Sequence, residues 1–297
     1  MVTVARAKAG PAPPKGQGLS DSTSLGWKIL IIPALVWLGV FFLYPIIRIL
    51  SLSFTEFSGD QVSGLDNYIW FFTTPANVVV LWRTIWVSAL IALLSLIIGY
   101  PYAYLLSIST GRRRLLLISA VVIPLTISPL VRSYAWIGIL RDNGPVVAIL
   151  QWLGIEVELL GNLLGVAVGM VHINFPLMVL PLFAALSRID RRLLDAGASL
   201  GATPLSAFWR VYAPLSLPGV LAGTVLVFVN SLGFYLTPAL LGSPRQTLLS
   251  PLIVTQTQLV LAWGRGGAMA TVLLITTLGV LLLGSLATRR ALMRSSQ

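Results

Sequence analysis

The sequence predicts an all-α, polytopic membrane protein, and three observations lead to that fold class. Hydrophobic residues make up 57% of the 297 residues, charged residues only 10%, and the mean hydropathy is +0.90. A soluble domain has roughly a quarter of its residues charged. Apolar runs long enough to cross a bilayer, which takes about 20 residues, recur along the chain. The basic residues cluster between alternate runs, as they do in membrane proteins.

Six apolar runs are candidate transmembrane helices. Their approximate ranges are 28–50, 82–107, 115–140, 163–186, 215–241 and 268–287. Residues 1–27 are rich in Pro, Gly, Ser and Ala and predict a disordered cytoplasmic tail, because the first apolar run is too long for a signal peptide. Residues 28–290 are expected to form one transmembrane domain, followed by a short cytoplasmic tail at 291–297.

The basic residues set the predicted orientation. With the N-terminus in the cytoplasm, fourteen of the 20 Lys and Arg residues lie at the two tails and in the loops after spans 2 and 4. Cytoplasmic loops collect Lys and Arg, so both termini are predicted to be cytoplasmic. The same rule accounts for the net charge of +11, and no nucleic-acid partner is expected. The acidic residues of the predicted outer side are Glu56, Asp60, Asp66, Asp142, Glu156 and Glu158.

A polar segment at 195–214, "DAGASLGATPLSAFWRVYAP", interrupts the apolar pattern between spans 4 and 5. It forms most of a predicted cytoplasmic loop over 187–214. Bulky side chains at helical spacing in its second half predict an amphipathic helix, and they are Leu205, Phe208, Trp209 and Tyr212. Such a loop either lies on the lipid surface or fits a groove of a partner protein.

Local chemistry predicts how this loop is divided. Gly201 is placed to end a first short helix in a turn of positive φ. Thr203 is placed to cap a second helix that starts at Pro204. Pro214 and Pro218 are expected to end that second helix and to begin span 5.

The spacing within the loop resembles the EAA loop of permease subunits in binding-protein-dependent ABC importers. That family's pattern is Glu-Ala-Ala, three residues, Gly, nine residues, a branched apolar residue, one residue and Leu-Pro. The residues that match are Asp195, Ala196, Gly201, Val211 and Pro214. Asp195 is one methylene shorter than the family's Glu, and Gly197 and Ala213 are further departures.

Three longer segments resemble the spermidine/putrescine branch of this family, namely Pro124–Gly144, 186–202 and Phe228–Gly242. The resemblance implies a type I importer of the MetI-like fold in the bacterial inner membrane, with a polyamine as cargo. It implies four partners, which are two ATP-binding cassette subunits, a second homologous permease subunit in a heterodimer, and an extracytoplasmic solute-binding protein. The residues implied in contact with the ATPase are Asp195, Ala196, Gly197, Gly201, Val211 and Pro214.

The chain has no sequence feature for ATP hydrolysis. It lacks a Gly-x-x-x-x-Gly-Lys-Ser/Thr loop, and its lysines, Lys8, Lys15 and Lys28, all precede the spans, so it cannot cradle phosphates in that way. It has no Cys, which excludes zinc–thiolate sites and Cys nucleophiles. No nucleophile–base pair, metal cluster or carboxylate pair stands out. The sequence therefore predicts a transport subunit without cofactor or metal, not an enzyme.

The candidates for the translocation path are Tyr134, Trp136, Asp142, Asn230, Phe234 and Tyr235. Carboxylates and aromatic faces suit a polycation, although each aromatic residue alternatively anchors the interface or packs between helices. Arg132, within span 3, would repel a cationic cargo. It is expected either to extend toward the interface or to pair with a carboxylate of the partner permease.

Prolines and glycines inside the spans predict kinks and close helix contacts. Pro176 and Pro181 are expected to interrupt span 4, and Gly223, Gly233 and Pro238 to punctuate span 5. Spans 3, 4 and 5 are therefore expected to line the path. A static bundle that needs these residues only for packing is the alternative.

An ion-coupled carrier is the main competing function. Such carriers place ionisable residues deep in the membrane, whereas the predicted spans contain essentially no Asp or Glu. His172 and Asn174 lie in span 4, where a lone His is more often a packed, hydrogen-bonded residue than a proton relay. Among ABC importers, iron, thiosulfate and opine-like solutes stay open as cargoes, because a path with few acidic residues leaves selection to the binding protein.

Overall fold

The computed structural model describes residues 31–54, 64–190, 192–199 and 201–295. These ranges consist of helices, turns and short irregular segments, without a β-strand among them. The chain divides into two compact units, residues 1–48 and 49–297. The predicted tail at 1–27 and the last two residues lie outside the described ranges.

The helices of the described residues are α1 (Ile31–Leu52), α2 (Asp66–Thr73), α3 (Pro75–Ile108), α4 (Gly111–Thr126), α5 (Pro129–Leu140), α6 (Pro145–Trp152), α7 (Leu163–Leu186), α8 (Arg192–Ser199), α9 (Pro204–Gly233), α10 (Leu236–Leu241), α11 (Leu249–Val254) and α12 (Trp263–Ser295). Five of them, α1, α3, α7, α9 and α12, are long and apolar enough to cross a membrane, and α4 to α6 make a sixth crossing if that bent segment is one span. The helix α7 has the predicted range of span 4, residue for residue.

The third predicted span is not one continuous helix over 115–140. The chain bends by 102° between α4 and the segment that starts at Pro129. Neither intervening residue is helical: Ile127 is extended with ψ of 131°, and Ser128 has ψ of 136°. For Ser128 the reason is that proline disfavours the helical conformation of the residue before it. Ser128 also caps α5 by accepting a hydrogen bond from the Leu130 N–H at 3.3 Å. Prediction of an unbroken span was wrong here because Pro129 starts a new helix.

The second loop helix and span 5 are one helix, α9, so the expected break at Pro214 and Pro218 is wrong. A π-helical turn over Phe208–Tyr212 shifts the backbone bonding to residue i−5, with the Ala213 N–H donating to the Phe208 carbonyl. This wider turn lets the helix continue past Pro214, which has no N–H to donate.

The far end of span 5 is broken instead. The helix α9 ends at Gly233, and Phe234 is extended with ψ of 125° before α10 begins. Pro238 lies in the first turn of α10, where backbone N–H groups have no partner within the helix and a proline is tolerated. Span 5 therefore ends before the predicted Leu241.

Two further spans are more continuous than the sequence predicts. The helix α7 runs through Pro176 and Pro181, so these prolines do not interrupt it, in keeping with the tolerance of transmembrane helices for proline. The helix α12 continues to Ser295, so residues 291–295 extend the last helix.

Close packing of α9 on α7 lies at the centre of the larger unit. A Cβ atom at Gly219 would lie 2.5 Å from the Cβ of Ala185, and one at Gly223 would lie 2.8 Å from the Sδ of Met178. The two glycines are four residues apart, which puts both on one helix face and lets the backbones approach. The predicted packing role of Gly223 is confirmed.

Candidate functional site

The loop between α7 and α9 has the predicted helix–turn–helix form. Gly201 has a φ of +84°, and no described atom lies within 4 Å of the position its Cβ would take. The hydroxyl of Thr203 caps α9 by accepting a hydrogen bond from the Ser206 N–H at 3.3 Å. The positive φ of Gly201 and the capping role of Thr203 are confirmed.

The motif residues of the loop differ in what the structure describes of them. Asp195, Ala196 and Gly197 lie in α8, but the side chains of residues 195–198 lie outside the described part. Val211 is half-buried in the π-helical turn and Pro214 is exposed. Asp190, which the sequence analysis missed, accepts a hydrogen bond at Oδ1 from the Arg192 N–H at 3.0 Å and so supports the start of α8.

An aromatic cluster joins the start of α9 to α3. The ring of Phe208 packs edge-on against Tyr100 at 6.0 Å between centroids, and Tyr212 packs edge-on against Tyr104 at 5.4 Å. The Tyr100 hydroxyl also shares a hydrogen bond of 2.9 Å with Ser216 Oγ. The loop continues directly into α9, and these contacts attach it to a second membrane helix, α3. The spacing of Tyr100 and Tyr104, one helical turn apart, was the available sequence signal.

The opposite face of the loop is apolar and exposed. Leu205 is 69% exposed and Trp209 is 65% exposed, and they lie one turn apart on α9. Leu193 of α8 is also exposed. A cavity of about 270 Å³ lies between the two loop helices, with Leu194 and Ala202 in its lining. The loop thus presents bulky apolar side chains on a surface that the described part of the chain leaves uncovered.

Polar contacts connect α9 with α7, and α5 with α7 and α10, near the end of α9, and we call them the polar junction. Asn230 donates from Nδ2 to Asn174 Oδ1 of α7 at 2.8 Å, and Asn174 is fully buried. The hydroxyls of Ser133 (α5) and Thr237 (α10) are hydrogen-bonded at 2.9 Å and are both fully buried. In an apolar bundle, such contacts fix which helix faces meet.

Trp136 and Arg132 complete the polar junction on α5. The indole Nε1–H of Trp136 donates to His172 Nδ1 at 3.1 Å. Arg132 is 7% exposed, and its Nε and Nη1 atoms have no hydrogen-bond partner among the described residues. Counting Arg132 with the bonded residues around it, the polar junction consists of Arg132, Ser133, Trp136, His172, Asn174, Asn230 and Thr237.

The structure does not bring all six predicted path residues together at one site. Trp136 and Asn230 both bond to α7, as described above. Tyr134 and Asp142 are exposed, and neither side chain forms a hydrogen bond within the described part of the chain. Phe234 lies at the break after α9, and Tyr235 lines a cavity of about 390 Å³ between α10 and α11.

Comparison with known proteins gives a consistent set of relatives, although no family model matches the chain. It is 31% identical over 250 residues to the spermidine/putrescine transport system permease protein PotB of Haemophilus influenzae, covering 82% of this chain and 87% of the relative. It is 30% identical over 261 residues to PotB of Escherichia coli, covering 86% and 94%. It is 32% identical over 240 residues to the inner membrane ABC transporter permease protein YdcU of Escherichia coli, covering 74% and 76%.

Solved structures share the fold. A chain of a bacterial alginate ABC transporter, solved in complex with an alginate pentasaccharide-bound periplasmic protein, superposes with a TM-score of 0.76 at 18% identity, covering 91% of this chain and 96% of that one. A chain of the MetNI methionine ABC transporter in an inward-facing conformation gives a TM-score of 0.57 at 17% identity, covering 75% and 97%. At these identities the comparison concerns the fold alone.

Proposed function

Because this chain belongs to the spermidine/putrescine permease family of ABC importers, we propose that its cargo is a polyamine and that it forms half of the translocation path. The chain is a permease subunit of an ABC importer. The observation that carries the cargo proposal is its identity to PotB over most of both chains. A polyamine is a polycation, for which the exposed aromatic and carboxyl side chains of Tyr134, Asp142 and Tyr235 offer suitable contacts.

The loop 187–214 is proposed as the contact with the ATPase. Its support is the pair of exposed apolar side chains Leu205 and Trp209, which suit a protein groove. They lie on the same helix that crosses the membrane as α9. A displacement of the loop would therefore move α9 directly, and α3 with it through the aromatic cluster.

The remaining partners and the location are part of the same proposal. Two ATP-binding cassette subunits hydrolyse ATP, a second homologous permease completes the path, and an extracytoplasmic binding protein delivers the cargo. The chain lies in the bacterial inner membrane with both termini in the cytoplasm. The domain from residue 28 to 290 and the coupling role of Asp195, Ala196, Gly197 and Gly201 also belong to this proposal.

Uptake by the reconstituted transporter tests the cargo. Proteoliposomes holding the chain, its partner permease and its ATPase, with ATP inside and the binding protein outside, are expected to accumulate radiolabelled spermidine or putrescine. An ATPase whose phosphate-binding Lys is replaced provides the control. Accumulation of iron, thiosulfate or an opine in place of polyamine would contradict the cargo. Accumulation driven by an ion gradient without ATP would contradict the ATP-driven mechanism.

Labelling of single cysteines tests the orientation, since the chain has none of its own. Arg113, near the start of α4, and Glu156, after α6, are both exposed and lie on opposite predicted sides. In intact cells an impermeant thiol reagent is expected to label Glu156→Cys and to leave Arg113→Cys unmodified. After the membrane is permeabilised, Arg113→Cys is expected to be labelled as well. Labelling of Arg113→Cys without labelling of Glu156→Cys would contradict the predicted orientation.

A further inference from the structure

A buried guanidinium without an acceptor among the described residues lies on α5, inside the larger unit. Arg132 is 7% exposed, and its Nε and Nη1 atoms are shielded from solvent without an acceptor. Burial of a charged group without a partner is strongly unfavourable, more so in a membrane than in a soluble protein. We therefore expect Arg132 to have an anionic partner.

Trp136 and His172, near Arg132, carry N–H donors. Trp136, one helical turn along α5, donates its Nε1–H to His172 Nδ1 at 3.1 Å. A neutral imidazole that accepts at Nδ1 carries its proton at Nε2, so the remaining nitrogen of His172 is also a donor. His172 is exposed, and its bond to Trp136 links it to the helix that carries Arg132. A guanidinium and an imidazole N–H together suit an anionic oxygen group.

The described part of this chain supplies no such group. The acidic residues with described side chains lie at helix ends or in loops and not within α5, α7 or α9, and they are Asp66, Asp142, Glu156, Glu158 and Asp190. None of them is hydrogen-bonded to the shielded nitrogens of Arg132. No acidic side chain among the described residues therefore pairs with Arg132.

We propose that Arg132 and His172 bind a carboxylate side chain of the second permease subunit, which forms an ion pair between the two subunits within the membrane. The inference rests on the proposed function for the second permease and for a cationic cargo. A polyamine cannot neutralise a guanidinium and is repelled by it, so the carboxylate belongs to the subunit and not to the cargo. The ion pair also cancels the positive charge that a polyamine would meet next to Trp136.

Charge reversal in the co-expressed transporter tests this ion pair. Arg132→Glu is expected to reduce the partner permease that co-purifies with the chain by roughly tenfold or more, since one partner of a buried pair then faces a like charge. Arg132→Met is expected to cause a smaller loss. Arg141→Met is the matched control, because Arg141 is exposed at the end of the same helix, and it is expected to leave recovery unchanged.

Second-site changes then identify the carboxylate. In the Arg132→Glu background, each membrane-embedded Asp or Glu of the partner permease is changed singly to Arg, and one change is expected to restore co-purification. Restoration also shows that Arg132→Glu did not unfold the chain. Unchanged recovery of the partner with Arg132→Glu would overturn the proposal, and so would the failure of every second-site change to restore it.

The same variants separate this proposal from the proposed cargo. Subunit recovery is measured without cargo, so it is independent of polyamine uptake by the wild-type transporter. If Arg132→Met keeps the partner fully bound yet abolishes uptake of an anionic solute, the anion is the cargo. That result would overturn both the intersubunit ion pair and the polyamine proposal, whereas absence of polyamine uptake with an intact ion pair would overturn the cargo alone.

Discussion

The two ends of α9 are built for different tasks. At its start the helix runs from Pro204 through a π-helical turn and past Pro214 without a break, and its outer face is apolar and exposed. At its end it stops at Gly233, and buried polar bonds such as Asn230 to Asn174 attach it to α7. The start is continuous and open to a partner, and the end is interrupted and fixed by its neighbours.

This difference indicates how a movement would pass through the chain. A continuous helix transmits a displacement along its length, whereas a break lets the segment beyond it reorient. The proposed ATPase contact lies at the continuous end, and the predicted path residues Phe234 and Tyr235 lie just beyond the break. Movement of the loop would thus change the geometry where the predicted path residues lie.

The largest effect is expected at the exposed face of the loop. Replacing both Leu205 and Trp209 by Asp is expected to reduce co-purification of the ATPase by about tenfold or more, because large apolar side chains carry most of an interface's energy. The free energy of unfolding should change by no more than about 0.5 kcal/mol per site, since both side chains are exposed. Trp152→Asp, at a residue that is 85% exposed at the end of α6, is the control. Retention of the ATPase by the double variant would favour a loop that lies on lipid.

A smaller effect, on stability and not on docking, is expected at the glycine contact. Gly223→Val places a side chain 2.8 Å from Met178 Sδ, and overpacking of this kind costs about 1–3 kcal/mol. We expect a lower thermal unfolding temperature in detergent with normal ATPase binding below that temperature. Gly279→Val in α12 is the control, because no atom lies within 4 Å of its Cβ position. Equal stability of the two variants would contradict the close approach of α9 to α7.

The smallest effect is expected where the loop is attached to α3. Tyr100→Phe keeps the ring packing on Phe208 but removes the hydrogen bond to Ser216, a loss of about 0.5–1.5 kcal/mol. The ATPase should still bind, with less cargo moved per ATP hydrolysed. Ser216→Ala and the double variant complete a cycle in which the two effects should not add. Additive effects would show that the hydroxyl pair does not couple the helices. Tyr44→Phe, at an exposed tyrosine of α1, is the control.

Local chemistry determined what the sequence could predict. The range of α7, the positive φ of Gly201 and the Thr203 cap each depend on residues within one or two turns, and all three are confirmed. The break before Pro129 was also encoded locally, yet the apolar run of 115–140 outweighed it in the prediction. At Pro214 the sequence predicted a break that the structure does not have, because the π-helical turn that accommodates the proline could not be read from the sequence.

Contacts between helices were beyond the sequence alone. Nothing in the spacing of Asn174 and Asn230 shows that they meet, since that depends on the rotation and height of α7 relative to α9. The same holds for the packing of Phe208 on Tyr100. Individual candidates for the path were therefore found, whereas the pairs that hold them together were not.

The conformation of Gly201 gives the most direct test of the proposed coupling loop. Its φ of +84° disfavours a β-branched residue, with a strain of about 1–3 kcal/mol, while no described atom lies within 4 Å of its Cβ position. Asn tolerates a positive φ better than Val, so Gly201→Asn and Gly201→Val differ in backbone strain at a site without steric contact. We predict that Gly201→Val reaches the membrane in normal amounts but loses ATPase co-purification and uptake, and that Gly201→Asn largely keeps both. Normal ATPase binding and transport by Gly201→Val would contradict the assignment of this loop as the ATPase contact.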